Sequence, residues 1–521
     1  MARLAAIVVA GLAGAGAGVA SFAPEQVGAA LRVASERVAT APAASLRSAA
    51  LAIPSPALPA APPPVSAGSS PVDAAVTAPA HPAPDGPPIL VALAPETFVR
   101  ESPELGSRKV GWLRAGARVV RGAEPVPGSG CPGSWYRIAP AGFVCAGRGA
   151  TTDLDHPIAR AVTVAPDRAA PLPYRYGLSR SPPPPLYVRV PTRAQRAAHE
   201  PGNPARDPQA ERWWRDVTVT EVPMAFASDR PGMSIHGYEH ARSSVYTGRA
   251  LPRSGFAFLT YFTADGQRFG LTPELAVLPL DRLRPVVASR FVGLALGGAT
   301  TLPVGFVRGR GVRTLVGDPT TVGLRPGRAL EPREAVPLGA ERRQVGSVDY
   351  RRTADGAWLR SDQLVVIEPR RARPAWATGD RTWLDVSVLQ QTLVAYRGAT
   401  PVYVTLVSTG SGGLGDPEKT PSTPRGEFLV HTKHVTATMS GDEVGDEYDL
   451  RDVPWVQYFH GGYALHAAYW HDAFGTPRSH GCINLSPGDA RWLFHFTEPS
   501  VPLAWHGAMS RSENTLVHVR P

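Results

Sequence analysis

Past residue 88 the chain is written in short apolar runs closed off by turn residues. Phe98-Val99-Arg100, Lys109-Val110-Gly111-Trp112-Leu113, Arg118-Val119-Val120, Ser134-Trp135-Tyr136-Arg137-Ile138 and Gly142-Phe143-Val144 are spaced like the strands of a small barrel. A second β-rich unit spans 213–285 and a third 286–370. Both contain a hairpin on an Asp-Gly turn, at Asp265-Gly266 and Asp355-Gly356, with Phe269 to Leu275 set against Trp358 to Leu364 as a suggested repeat. Later, Trp383 to Ser387, Gln391 to Tyr396 and Val402 to Val407 read as successive strands of a meander. The expected fold is mainly β, in several modules, since 521 residues exceed one typical domain.

What precedes and separates these modules is different in kind. Met1-Ala2-Arg3 followed by the apolar run Leu4 to Ala20 reads as an export signal, with small residues for cleavage at Gly18-Val19-Ala20 or Ser21-Phe22-Ala23. The other reading of 1–23 is an uncleaved anchor, which Gly11, Gly14, Gly16 and Gly18 weaken as a spanning helix. Either way the expectation is an exported protein of the periplasm or cell envelope, with membrane association only at its N-terminus. Residues 24–88, rich in Ala and Pro from Ala39 onward, are expected to be a disordered spacer, because they offer little to bury against the entropy of ordering. Residues 151–212, with Pro182 to Pro185, read as a Pro-rich connector.

Three cysteines are present, Cys131, Cys145 and Cys482. Cys131 and Cys145 flank the Trp135 strand, and in an oxidising compartment a disulfide between them is expected. That leaves Cys482 as the free thiol. From Trp376 onward 10 Lys+Arg face 15 Asp+Glu, while the preceding residues keep 44 and 29 of the chain's 54 and 44, about −5 against +15. The basic part suits anionic cell-wall polymers, or is simply a solvated arginine-rich surface. No motif calls for nucleic acid or a cofactor.

Cys482 lies in Arg478-Ser479-His480-Gly481-Cys482-Ile483-Asn484-Leu485, with His466 sixteen residues before it. A thiol beside glycine with histidines near is the make-up of an activated sulfur nucleophile, since a base or positive charge is needed to form the thiolate. Upstream come Thr423-Pro424-Arg425-Gly426-Glu427-Phe428 and an acidic stretch from Ser440 to Asp452. That stretch reads as a mobile flap over a substrate groove, or as a solvated loop.

On these residues, segment 376–505 resembles the YkuD-type L,D-transpeptidase catalytic domain, a β-sandwich-type fold. His466 with Ser479-His480-Gly481-Cys482-Ile483-Asn484 fits the family's His…[Ser/Thr]-His-Gly-Cys-x-Asn pattern, and 423–428 fits its Thr-Pro-x-Gly-x-Phe element; Ala467 departs from a frequent glycine. Residues 89–150 resemble a bacterial SH3-like domain, as do 213–285 and 286–370 more faintly, and 506–521 is left as a tail. The resemblance implies that Cys482 attacks a peptidoglycan stem peptide, with His466 as general base and Gly481 permitting close approach at the oxyanion. A thioester then passes to an amine, giving a 3-3 cross-link or another acceptor product.

The same resemblance makes His480 either a participant or a scaffold for the loop. Asn484 and Ser479 are expected to fix that loop through side-chain-to-backbone bonds. Arg478 and Tyr469 are expected to meet the stem's carboxylates and sugars, or to serve the surface. A cysteine hydrolase delivering the thioester to water is the nearest alternative. A zinc site from His466, His471, His480 and Cys482 lacks the paired short spacing of metal ligands, and a non-catalytic wall-binding protein would leave Cys482 and its histidines idle.

Overall fold

A computed structural model describes residues 86–521 apart from 201, 203, 205–206, 229–243, 322, 371–373, 442–447 and 513. The export signal and nearly all of the Ala/Pro-rich spacer therefore lie outside the described residues. The rest is mainly β, as its punctuation requires.

The C-terminal region is two layers of sheet. Its strands are β1 (Thr382–Ser387), β2 (Thr392–Arg397), β3 (Thr400–Leu406), β4 (Gly426–Leu429), β5 (Thr432–Gly441), β6 (Tyr448–His460), β7 (Tyr463–Ala467), β8 (Ile483–Leu485), β9 (Gly507–Met509) and β10 (Leu516–Arg520). Helix α1 (Pro487–Phe496) follows β8 directly, started by Ser486, whose side chain accepts from the Asp489 amide, and by a proline in its first turn. One sheet runs β3-β2-β1-β10-β4 and the other contains β9-β5-β6-β7-β8. Leu384, Val386, Leu393, Val435, Trp455, Leu465, Ile483 and Val517 fill the space between them.

Alternation explains why these strands read as nearly unbroken apolar runs. Leu393 and Ala395 of β2 face the intersheet core, whereas Val394 and Tyr396 face the other way, into a second core with Trp383, Leu406, Phe306 and Ile367. That second core is shared with the seven-stranded sheet of residues 304–367. Residues 506–521, expected as a tail, instead supply β9 and β10, and β10 runs parallel to β1 in register from Trp383↔Leu516 to Ser387↔Arg520.

The preceding modules are joined to this region edge to edge. Lys109–Leu113 pairs with β9 at Gly111↔Ala508 and Trp112↔Gly507. A Cβ on Gly111 would sit 2.4 Å from the Trp505 ring, and one on Gly507 2.1 Å from Trp112 Nε1, so the seam needs both glycines. On the other flank Gly255 pairs in parallel with Leu450 of β6. The sheet is thereby twelve-stranded and crosses three of the expected modules.

Two further expectations change. Residues 151–212 carry strands Arg175–Ser179 and Pro185–Tyr187 and short helices, including Pro208–Arg215, because Tyr176, Leu178, Tyr187 and Trp214 find apolar partners downstream. This stretch is thus folded rather than a connector. The likeness between the second and third units falls at Val277–Pro285 and Trp358–Ile367, each a strand, a 3₁₀ turn and a strand, one strand later than the hairpin comparison suggested. In the first unit Cys131 and Cys145 form a disulfide with Cα atoms 5.7 Å apart.

Candidate active site

Strands β7 and β8 run side by side in parallel, pairing Leu465 with Ile483 and His466 with Asn484. Because side chains alternate along a strand, His466 and Asn484 share a face, and Cys482, in the bend just before β8, lies against β7 with its sulfur next to the Ala464 amide. The sequence separation of His466 and Cys482 is spanned by a loop that returns the chain to the neighbouring strand.

His466 is buried and its Nδ1 lies 3.2 Å from the Ala467 carbonyl, to which Nδ1–H donates. That bond fixes the tautomer and leaves Nε2 as the basic nitrogen. Burial pulls the imidazole down to about 4 against that bond. Cys482 is the free cysteine and partly exposed, yet its surroundings push the thiol up to about 11, opposed by the Ala464 amide. The thiol points to the Gly462 carbonyl at 3.9 Å. Both shifts favour the uncharged forms, so the resting pair is thiol and imidazole rather than thiolate and imidazolium.

The loop carrying Cys482 is fixed by its own backbone and by the segment just upstream of β4. Ser479 Oγ donates to the Cys482 carbonyl at 2.5 Å and accepts from the Gly481 amide at 3.1 Å. Thr423 Oγ1 donates to the Gly481 carbonyl at 2.8 Å while accepting from the Gly410 amide at 2.9 Å. Gly481 has φ +128°, and a Cβ there would lie 2.5 Å from Tyr463 and 3.0 Å from the Ser422 carbonyl. The Thr-Pro-x-Gly-x-Phe element is therefore a latch on the Cys482 loop.

Asn484 bonds a side chain, not the backbone as expected. Its carboxamide lies 3.1 Å from His471 Nε2, while His471 Nδ1 accepts from the Ala473 amide at 3.2 Å. Burial, then the charges of Arg478 and His466, hold His471 at about 4. His471 thus supports Asn484; the sequence offered it only as a candidate zinc ligand.

The acidic stretch 440–452 forms the ends of hairpin β5–β6, with only 442–447 outside the described residues. Tyr448 of β6 stacks on the exposed His480, ring centroids 4.9 Å apart. Tyr458 and Tyr463 border the sulfur, whose charge helps raise both phenols after burial has done so. None of these three tyrosines was singled out from sequence. Arg478 is exposed, anchored by its amide to the Thr409 carbonyl. Tyr469 is placed away from solvent: it is 4% exposed, packs on Tyr176 at 4.5 Å and donates to the Arg451 carbonyl. It is a docking residue between modules, and the expectation that it meets the substrate is corrected.

Residues 381–518 match the family model described as YkuD, the L,D-transpeptidase catalytic domain. The Bacillus subtilis protein YciB, whose name places it among the L,D-transpeptidases, is 30% identical over 124 residues, 22% of this chain and 59% of YciB. Among solved structures, the L,D-transpeptidase from Xylanimonas cellulosilytica is 24% identical, covering 29% of this chain and 65% of that one with a TM-score of 0.21. L,D-transpeptidase 3 from Mycobacterium tuberculosis is 20% identical, with 34% and 70% covered and a TM-score of 0.22. The chain spans less than two thirds of both YciB and the Xylanimonas structure. Residues 381–518 are a YkuD-family L,D-transpeptidase catalytic domain.

Proposed function

We propose that this chain is an exported L,D-transpeptidase that acylates Cys482 with a peptidoglycan stem peptide and passes the acyl group to an amine. The observation that supports the reading is the parallel β7–β8 pair, which sets Asn484 beside His466 and brings Cys482, at the head of β8, against the His466 strand at Ala464, with the His466 tautomer fixed by the Ala467 carbonyl. Nε2 takes the thiol proton as sulfur attacks the carbonyl joining the stem's diamino acid to its terminal D-alanine. Neutral resting groups suit this order, with charge forming only as the bond is made. The Gly481 amide is engaged by Ser479, so the Cys482 amide is assigned to the oxyanion. The tetrahedral adduct collapses, the imidazolium returns its proton to the leaving D-alanine amine, and a thioester remains. A neutral amine of a second stem then attacks it, His466 takes the proton released, and the 3-3 cross-linked product leaves as the thiol is reprotonated.

His480 and Arg478, both exposed beside this loop, are assigned to the stem's polar groups. The basic charge of the preceding modules, exposed at Arg308, Arg310, Arg313 and Arg325, supports attraction to anionic wall polymers. The test is incubation of the chain with tetrapeptide-stem peptidoglycan and mass analysis of the products. Cross-linked dimers that Cys482→Ala fails to form are expected. Tripeptide alone would instead indicate a hydrolase, and unchanged stems would overturn the reading.

A further inference from the structure

Hairpin β5–β6 leaves its supporting strands early. β5 pairs with β9 only at Thr432 to His434, and β6 pairs with β7 only at Gln457 to His460. Toward the tip it is a two-stranded ribbon, touched by a third strand at the single rung Gly255↔Leu450. Such a ribbon is marginal on its own. Yet it carries Tyr448 to the His480 ring, beside the nucleophile.

Glu274 compensates for the missing strands. It lies in the turn between Gln267–Leu271 and Val277–Pro279, more than a hundred residues before the catalytic domain begins. Its carboxylate touches both strands of the ribbon: Oε1 accepts from Thr438 Oγ1 of β5 at 2.5 Å, and Oε2 accepts from Arg451 Nη1 of β6 at 2.8 Å. The register that pairs Met439 with Leu450 sets Thr438 and Arg451 across from each other at the neighbouring bulge. Arg451 Nε also donates to Asp449 at 3.0 Å, and its carbonyl accepts from Tyr469 at 3.1 Å. Tyr448 is three residues away. Burial pushes the Glu274 carboxyl upward, but Arg451, Arg114 and the Thr438 hydroxyl together hold it below its ordinary value, so it stays ionised. Both side chains of the ion pair are less than a quarter exposed, which limits screening.

We propose that Glu274 is a positioning residue for the transpeptidase site, holding the ribbon across both strands so that Tyr448 keeps its place against His480. This rests on Cys482 being the nucleophile that is acylated. The accessory module is then part of the machinery that orients the acyl group.

The test uses the full chain, its Glu274→Ala and Glu274→Gln variants, and a carbapenem as acylating probe, followed by intact-mass kinetics and amide hydrogen exchange. The per-site acylation rate of Glu274→Ala is expected to fall roughly tenfold, within the ~10²-fold that a small misplacement costs. Exchange should quicken over 435–441 and 448–455 but not over 382–406. Gln retains the Thr438 bond without the ion pair and is expected to fall between, which keeps the test open if Ala fails to fold. A merely structural role lowers the melting temperature and the acylatable fraction while leaving the rate per active site unchanged. That result, or unaltered exchange in the ribbon, overturns the proposal. A parent protein that takes no acyl group refutes the nucleophile reading, whereas exchange still reports separately on Glu274.

Discussion

At the scale of single residues the proposed chemistry depends on two neutral groups that become charged together. With the Cys482 thiol at about 11 and His466 at about 4, neither titrates near neutrality in the resting site. Alkylation of the resting thiol by a small reagent is therefore expected to be slow at pH 7 and to climb steadily with pH, with no plateau above 6.5; a plateau there would mean a preformed ion pair. His466→Ala is expected to lower carbapenem acylation of Cys482 by at least ~10²-fold, the usual size of a general-base contribution. Mass spectrometry with time decides this, and a parent-like rate would remove His466 from its role. Cys482, His466 and their loop were picked out in the sequence as candidates, because the proposed chemistry restricts residue type. His471, Tyr448, Tyr458 and Tyr463 were not, since a histidine or tyrosine gains its meaning only from the neighbour it meets.

At the scale of elements, the seam between the first module and β5–β6 is where buried polar groups concentrate. Arg114 Nη2 meets Asp452 Oδ1 at 2.6 Å, with side chains 9% and 1% exposed, and Asp452 also accepts from Thr436. Arg114→Ala strands that carboxylate, and the expected loss of stability is about 3–5 kcal/mol. Burial, opposed by Arg114, already raises Asp452 to about 6, so without Arg114 it escapes by taking up a proton. The loss in a denaturant titration should accordingly be smaller at pH 5 than at pH 8, and equal losses would contradict this account. Beside it Trp112 Nε1 donates to His434 Nδ1 at 2.8 Å and the Thr436 amide donates to His506 Nε2 at 3.2 Å. Burial holds His434 at about 4 and His506 well below its ordinary value, as it does His466 and His471. In the unfolded chain these imidazoles take protons near 6.5, so between about 6.5 and 4 the unfolded state binds more protons. Stability should fall as pH drops through that window. Asp452 works in the opposite direction from about 6 to 4, joined by Glu96, Asp449 and Asp489, whose carboxyls burial also raises, while burial lowers His431 and His495 along with the four. A urea midpoint that stays level from pH 7 to pH 5 would count against the burial of these rings.

At the scale of the whole molecule the modules form one body rather than beads on a string. Excising residues 376–521 would uncover Trp383, Tyr396, Val404 and Leu406 on the outer face of β1–β3 and leave Asp452 without Arg114. Large apolar patches drive association, so this fragment is expected to aggregate while residues 86–521 remain soluble; a monodisperse, folded fragment by light scattering and circular dichroism would refute that. The sequence by itself determined the strands and singled out Cys482 as the free thiol. Strand formation follows from local alternation and turn residues, and a reactive thiol with its base admits few substitutes. Only the tertiary structure decided which strands share a sheet, that 151–212 and 506–521 are folded, that Tyr469 is buried, and that Glu274 reaches the hairpin. Each of those depends on partners far along the chain, as Leu178 on Gly255 and Tyr176 on Asp452, and neither composition nor spacing along the chain records which distant surface will cover a given face.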